Sequence, residues 1–162
     1  MFMKKIIAFI LISLLFSTIL GINTLFNISF NDDRKQISDK LQDCYYYIDD
    51  KYSIDNLFVV GYANIDITCR IPYISIVYKD DKMIAYICLL NEYSIDNLGN
   101  YFYIYYKLQQ LYGNYDEIRN NSIIWKIDNN IKCILYHHHN DFFVIYENIE
   151  YINELNKLGL FE

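Results

Sequence analysis

"YISIVYKDDKMIAYICLL", residues 73–90, is the stretch that decides the fold class. Apolar residues run up to Lys79 and resume at Met83, with "KDDK" as a turn between them. Two strands joined by so short a connection pair antiparallel, because a parallel partner needs a crossover of a dozen residues or more. A βαβ nucleotide-binding fold is thereby excluded, and the class is α+β.

The pattern extends in both directions. Upstream, Leu57–Gly61 and the stretch Ile65–Lys79, interrupted by Pro72, read as strands. Downstream, "SIIWKI" (122–127), "IKCILYH" (131–137) and "FFVIYE" (142–147) are three more, joined by "DNN" and "HHND". Ile37, Leu41, Cys44 and Ile48 recur at helical spacing, which predicts an amphipathic helix over 32–48 with Asn31 as N-cap. Ser94 can cap a second helix that places Leu98, Tyr101, Phe102, Tyr105, Leu108 and Tyr112 on one face and ends at Gly113. Ile104 and Leu111 widen that face. A last short helix over about 149–158 stops at Gly159. The predicted order is α-βββ-α-βββ-α, an antiparallel sheet with a helix and three strands occurring twice. The hexapeptide "YSIDNL" appears at 52–57 and at 93–98, but the residues after each copy differ, so it marks no sequence repeat.

"MFMKKIIAFILISLLFSTILG" has two lysines, an apolar run from Ile6 to Leu20 and a small residue, Gly21, in the order of a secretory signal peptide. The expected division is a signal peptide at 1–21 and a single domain at 22–162. The alternative is an uncleaved membrane anchor, because apolar residues resume at Ile22, Leu25, Phe26 and Ile28. The expected location is periplasmic or extracellular, with the inner membrane as the alternative. Net charge is −6 with no basic run, which argues against nucleic acid as a partner. An anionic membrane is disfavoured for the mature part on the same ground, leaving the N-terminal segment, if uncleaved, as the only membrane contact. The chain holds 18 Tyr, a bias that also fits an AT-rich coding sequence, so no single tyrosine is functional evidence.

The run "LQQLYG" (108–113), then "IIWKI", "IKCIL" and "FFVIYENIEY" (142–151), resembles the C-terminal pattern of many small exported proteins of AT-rich bacteria. The resemblance covers about residues 98–151 and extends more loosely to "NISFNDDRKQISDKL" (27–41). At the level of architecture, helix-plus-meander units are similar to the α+β modules of β-lactamase inhibitor proteins and outer-membrane assembly lipoproteins. Those families imply binding or scaffolding and bring no catalytic residues. The chain departs from the lipoproteins in lacking a lipid-attachment cysteine.

The only histidines are His137, His138 and His139. Strand alternation puts His137 and His139 on one side, and with Asp141 they form a conceivable metal cluster at a hairpin tip. The competing reading is a polar hairpin connection, with Asn140 or Asp141 in the special backbone conformation. Cys133 shares a face with His137 but lies about 13 Å away along the strand, too far for a nucleophile and its base. Cys44, Cys69, Cys88 and Cys133 could form two disulfides after export or serve as small buried residues. No G-x-S-x-G, P-loop or G-x-G-x-x-G occurs, and no catalytic residue or cofactor is expected. Tyr103 and Tyr106 fall off the apolar stripe of the second helix, beside Lys107, and Tyr46 falls off that of the first. Exposed tyrosines suit protein interfaces, so these three are the candidate binding residues, for a protein partner or for self-association.

Overall fold

The computed structural model describes residues 24–66, 68–90, 97–139 and 141–158. In chain order the elements are α1 (Arg34–Asp43), β1 (Tyr46–Ile54), β2 (Leu57–Asn64), β3 (Tyr73–Lys79), β4 (Lys82–Leu89), α2 (Asn97–Tyr112), β5 (Glu117–Arg119), β6 (Ser122–Lys126), β7 (Ile131–His138) and β8 (Asp141–Asn148). A short α3 (Ile152–Leu155) follows, with a 3₁₀ turn on either side. All eight strands form one antiparallel sheet in the order β1-β2-β3-β4-β8-β7-β6-β5. The class is α+β.

Each unit is therefore a helix and a four-stranded meander, and the last strands of the two meanders pair at the centre of the sheet. This corrects the expected three-strand units at two places. The first helix stops at Asp43, because Tyr45 turns the chain at φ +66 and the following residues extend into β1. Its N-cap is Asp33 rather than Asn31: the Asp33 carboxylate accepts from Gln36 N at 2.8 Å, and Gln36 Oε1 accepts from Asp33 N at 2.9 Å. In the second unit the three-residue β5 adds an outer strand too short to show a period. β2 ends at Asn64 and β3 begins only after Pro72, which shortens the predicted strand Ile65–Lys79. The quoted hairpin is β3 and β4, with Asp80 and Asp81 both at positive φ as a type I′ turn requires. The segment 1–21, the cap at Ser94, the side chain of Leu98 and the stop at Gly159 lie outside the described residues.

Alternation along the strands gives the sheet two apolar faces. On one, the register sets Val60, Ile76, Tyr86, Tyr146, Cys133 and Trp125 side by side across six strands. Ile37 and Leu41 of α1, Ile104 and Leu108 of α2, and Ile28 close over that row. Of the apolar residues that resume after Gly21, Leu25, Phe26 and Ile28 pack into this core, and Ile22 lies outside the described residues. The opposite face carries Val59, Val77, Ala85, Ile145, Ile134 and Ile124, with Leu155 packed on it. Glu147 is buried on that side and forms an ion pair with Lys132 at 2.5 Å. Lys79 ties down α3 through an ion pair with Glu154, also 2.5 Å. Among the described residues, no helix is long and apolar enough to cross a membrane.

Candidate functional site

The second helix is where the surface departs from an ordinary one. Its buried stripe centres on Ile104 and Leu108, with Tyr101, Tyr105 and Tyr112 half-buried at its margin. Tyr105 packs on Trp125 at 6.0 Å, Tyr101 on Phe142 at 5.0 Å, and the Tyr112 hydroxyl donates to that of Tyr146 at 3.2 Å. Gly113 takes φ +78, where a side chain would be strained, and its carbonyl accepts the Trp125 indole N–H at 3.1 Å. The helix is thus held along one side and at its end.

That leaves the outer side unusually apolar. Phe102, Tyr103, Tyr106 and Leu111 are 51, 43, 60 and 50% exposed. Two of them, Phe102 and Leu111, belong to the expected core stripe, which is rotated from its predicted centre toward Ile104. Helical spacing could not separate the two arrangements, because apolar residues surround most of this helix.

Between α2, residues 24–27 and the 69–71 loop lies a groove of about 500 Å³. Tyr46 forms part of its wall but is 1% exposed, its hydroxyl donating to the Ile71 carbonyl and its ring meeting Phe26 edge-on at 5.4 Å. The placement of Tyr46 as an exposed helix residue is corrected: it belongs to β1 and faces the core. The missed signal was the Asp55–Asn56 turn, which with Leu57–Val60 makes the preceding residues one arm of a hairpin. Burial raises the Tyr46 phenol far above its usual range, and contact with Cys69, at 3.6 Å, adds to this. Tyr103 stands at the rim, with the Arg70 guanidinium 4.2 Å and the Lys107 ammonium 5.8 Å from its ring centre. Arg70 is fixed by a 2.9 Å hydrogen bond from Nη1 to Asn100 Oδ1. Tyr106 lies outside the groove, edge-on to Tyr105 at 5.5 Å. The structure therefore brings Tyr46 and Tyr103 to one groove and leaves Tyr106 on the outer face. Arg70 sits in a loop without any sequence pattern to mark it.

The histidines take different roles from the expected ones. His137 pairs with Phe142 across the hairpin and stacks on its ring at 4.5 Å. His138 pairs with Asp141 on the other face, and its Nδ1 lies 3.2 Å from the Tyr136 hydroxyl. His139, not Asp141, takes the positive φ of the turn, and Asn140 lies outside the described residues. His137 and Asp141 thus point to opposite faces, which breaks up the proposed His137–His139–Asp141 group. Among the described residues no three His, Cys, Asp or Glu side chains are placed to hold a metal ion. Cys88 and Cys133 are buried thiols. Burial pushes the Cys88 thiol up to about 12 and that of Cys133 well above its usual value, the reverse of nucleophile activation. Cys44 and Cys69 are half-buried and line the groove.

Comparison with protein-family models, with curated proteins and with solved structures gives no match for this chain.

Proposed function

We propose that the chain is an exported, non-catalytic interaction module of the cell envelope that binds a protein partner through the outer side of α2. The observation that carries this reading is the exposure of Phe102, Tyr103, Tyr106 and Leu111 around the outer half of a helix whose other side is committed to the sheet. Aromatic rings with a free polar tip supply contact area at small entropic cost, as interface anchors do. Arg70 and Lys107 set two cations beside Tyr103, within a chain of net charge −6. The complementary partner segment places an apolar side chain in the groove and a carboxylate at its rim. The charged, apolar and small-residue order of residues 1–21 supports export.

The test is the double substitution Tyr103→Ala and Tyr106→Ala in the full chain, recovered from fractionated cells after crosslinking. Both side chains are exposed, so folding stability is expected to change by less than about 0.5 kcal/mol each. Affinity for the captured partner is expected to fall roughly 10-fold or more per anchor. If captured partners and oligomeric state are the same with and without the two rings, the reading fails.

A further inference from the structure

The two edges of the sheet are built differently. β5 presents three residues, and the carboxylate of Asp116 takes the Lys126 N–H at 2.7 Å, which closes the neighbouring stretch of β6. β1 presents nine residues and, among the described residues, pairs only with β2. Every second residue of such a strand directs its N–H and C=O away from the sheet, a template for another strand. Along β1, Tyr47, Ile48, Tyr52 and Ile54 are 37–48% exposed, offering side-chain contacts on both faces of the sheet.

The charges decide what fits there. Asp49 and Asp50 lie at a bulge in mid-strand, Asp55 in the following turn, and Lys51 is the single cation among them. The Asp50 carboxylate is held in place by the Tyr73 hydroxyl at 2.7 Å, which reaches it across Gly61. A Cβ on Gly61 would come within 1.8 Å of that hydroxyl, so the glycine is what allows the crossing. An antiparallel pairing of two copies centred on this stretch sets Asp50 against Asp50 or Lys51 against Lys51, and like charges directly opposite destabilise a pair. The same carboxylates favour a strand carrying lysine or arginine.

We infer that the β1 edge binds an extended basic peptide, alternating apolar residues with lysine or arginine, by adding it to the sheet as a ninth strand. The inference does not depend on the α2 surface, which shares none of the residues of β1 named here. The probes are three synthetic peptides: alternating valine and lysine, the same with glutamate for lysine, and the lysine peptide with a central proline. Binding is read by hydrogen exchange of the full chain. The lysine peptide is expected to slow exchange in β1 by tenfold or more, and the glutamate and proline peptides to leave it unchanged. Asp49→Lys, at the unpaired bulge position, is expected to weaken the lysine peptide about tenfold. Equal protection by the glutamate peptide, protection confined to other elements, or protection of β1 that rises with protein concentration in the absence of peptide each overturns it. The wild-type readings stand even if the variant misfolds.

Discussion

In the first half of the molecule a ten-residue helix covers its meander with Ile37 and Leu41, while in the second a sixteen-residue helix lays Tyr101, Tyr105 and Tyr112 on the sheet. The register explains much of this. Val60 and Trp125 occupy matching places in the row beneath the helices, each two strands out from the central pair Tyr86–Tyr146. An indole there fills space that a valine leaves to other residues, and its N–H reaches the helix end at Gly113. The difference teaches that one strand plan supports two surfaces, with side-chain volume under the helix deciding how the helix lies. The outer strands differ in the same sense. Among the described residues, the second half ends the sheet on a three-residue strand and the first on a nine-residue strand.

The centre of the sheet tests how equivalent the halves are, and the largest effect is expected in alkali. Tyr86 and Tyr146 stack at 5.4 Å, one from each half. Burial holds both phenols well above 10, with the Cys88 thiol next in importance at Tyr86 and the Cys133 thiol at Tyr146. A folded value raised above the unfolded one leaves stability intact below pH 10. Above it the unfolded chain gives up protons that the folded chain keeps. Stability should therefore fall by up to about 1.4 kcal/mol per pH unit for each phenol. Tyrosinate absorbance from these two should appear together with loss of circular dichroism, and Tyr86→Phe or Tyr146→Phe should each move that transition to higher pH. Tyrosinate absorbance that reaches its full amplitude while the dichroism is intact would show that burial does not control them.

A second comparison sets Trp125→Ala against Val60→Ala in urea unfolding. The indole substitution is expected to cost about 3–5 kcal/mol, since it empties a large buried volume and removes a hydrogen bond. The valine substitution is expected to cost about 2 kcal/mol, from two lost methyl groups and a small cavity. Equal losses would mean that the halves share the core evenly, contrary to the packing. The smallest effect belongs to the hairpin turns. Asp80 and Asp81 suit positive φ, whereas His139 holds φ +55 with a bulkier side chain. His139→Gly is expected to raise stability by up to about 1 kcal/mol in the same measurement, and a loss would show that contact with the His138 ring, at 4.2 Å, outweighs backbone strain.

Much of the fold was legible because its signals are local. Alternation with a tight turn marked β3–β4 and β7–β8, and the helical period with Gly113 marked α2. The boundary at Asp43 was missed because Cys44 and Ile48 continue the helical spacing while also fitting a strand, and a period cannot choose between them. The candidate site was legible only in part. Tyr103 and Tyr106 follow from angular position on a helix, but the fate of Tyr46 depends on β1 and the 69–71 loop closing over it.

The hexapeptide "YSIDNL" draws the line most sharply. At 52–57 it is the end of β1, a turn at Asp55 and the first residue of β2, and in the second copy Asn97 and Leu98 begin α2. Six residues fix a menu of turns and periods, since backbone sterics and side-chain alternation act over that range. The sequence by itself determined that this chain is an antiparallel α+β protein with two helix-led meanders. Tertiary structure alone decided which strands meet at the centre, which edge stays open and which tyrosines reach solvent. Each of those depends on burial against residues many positions away, where no local pattern acts.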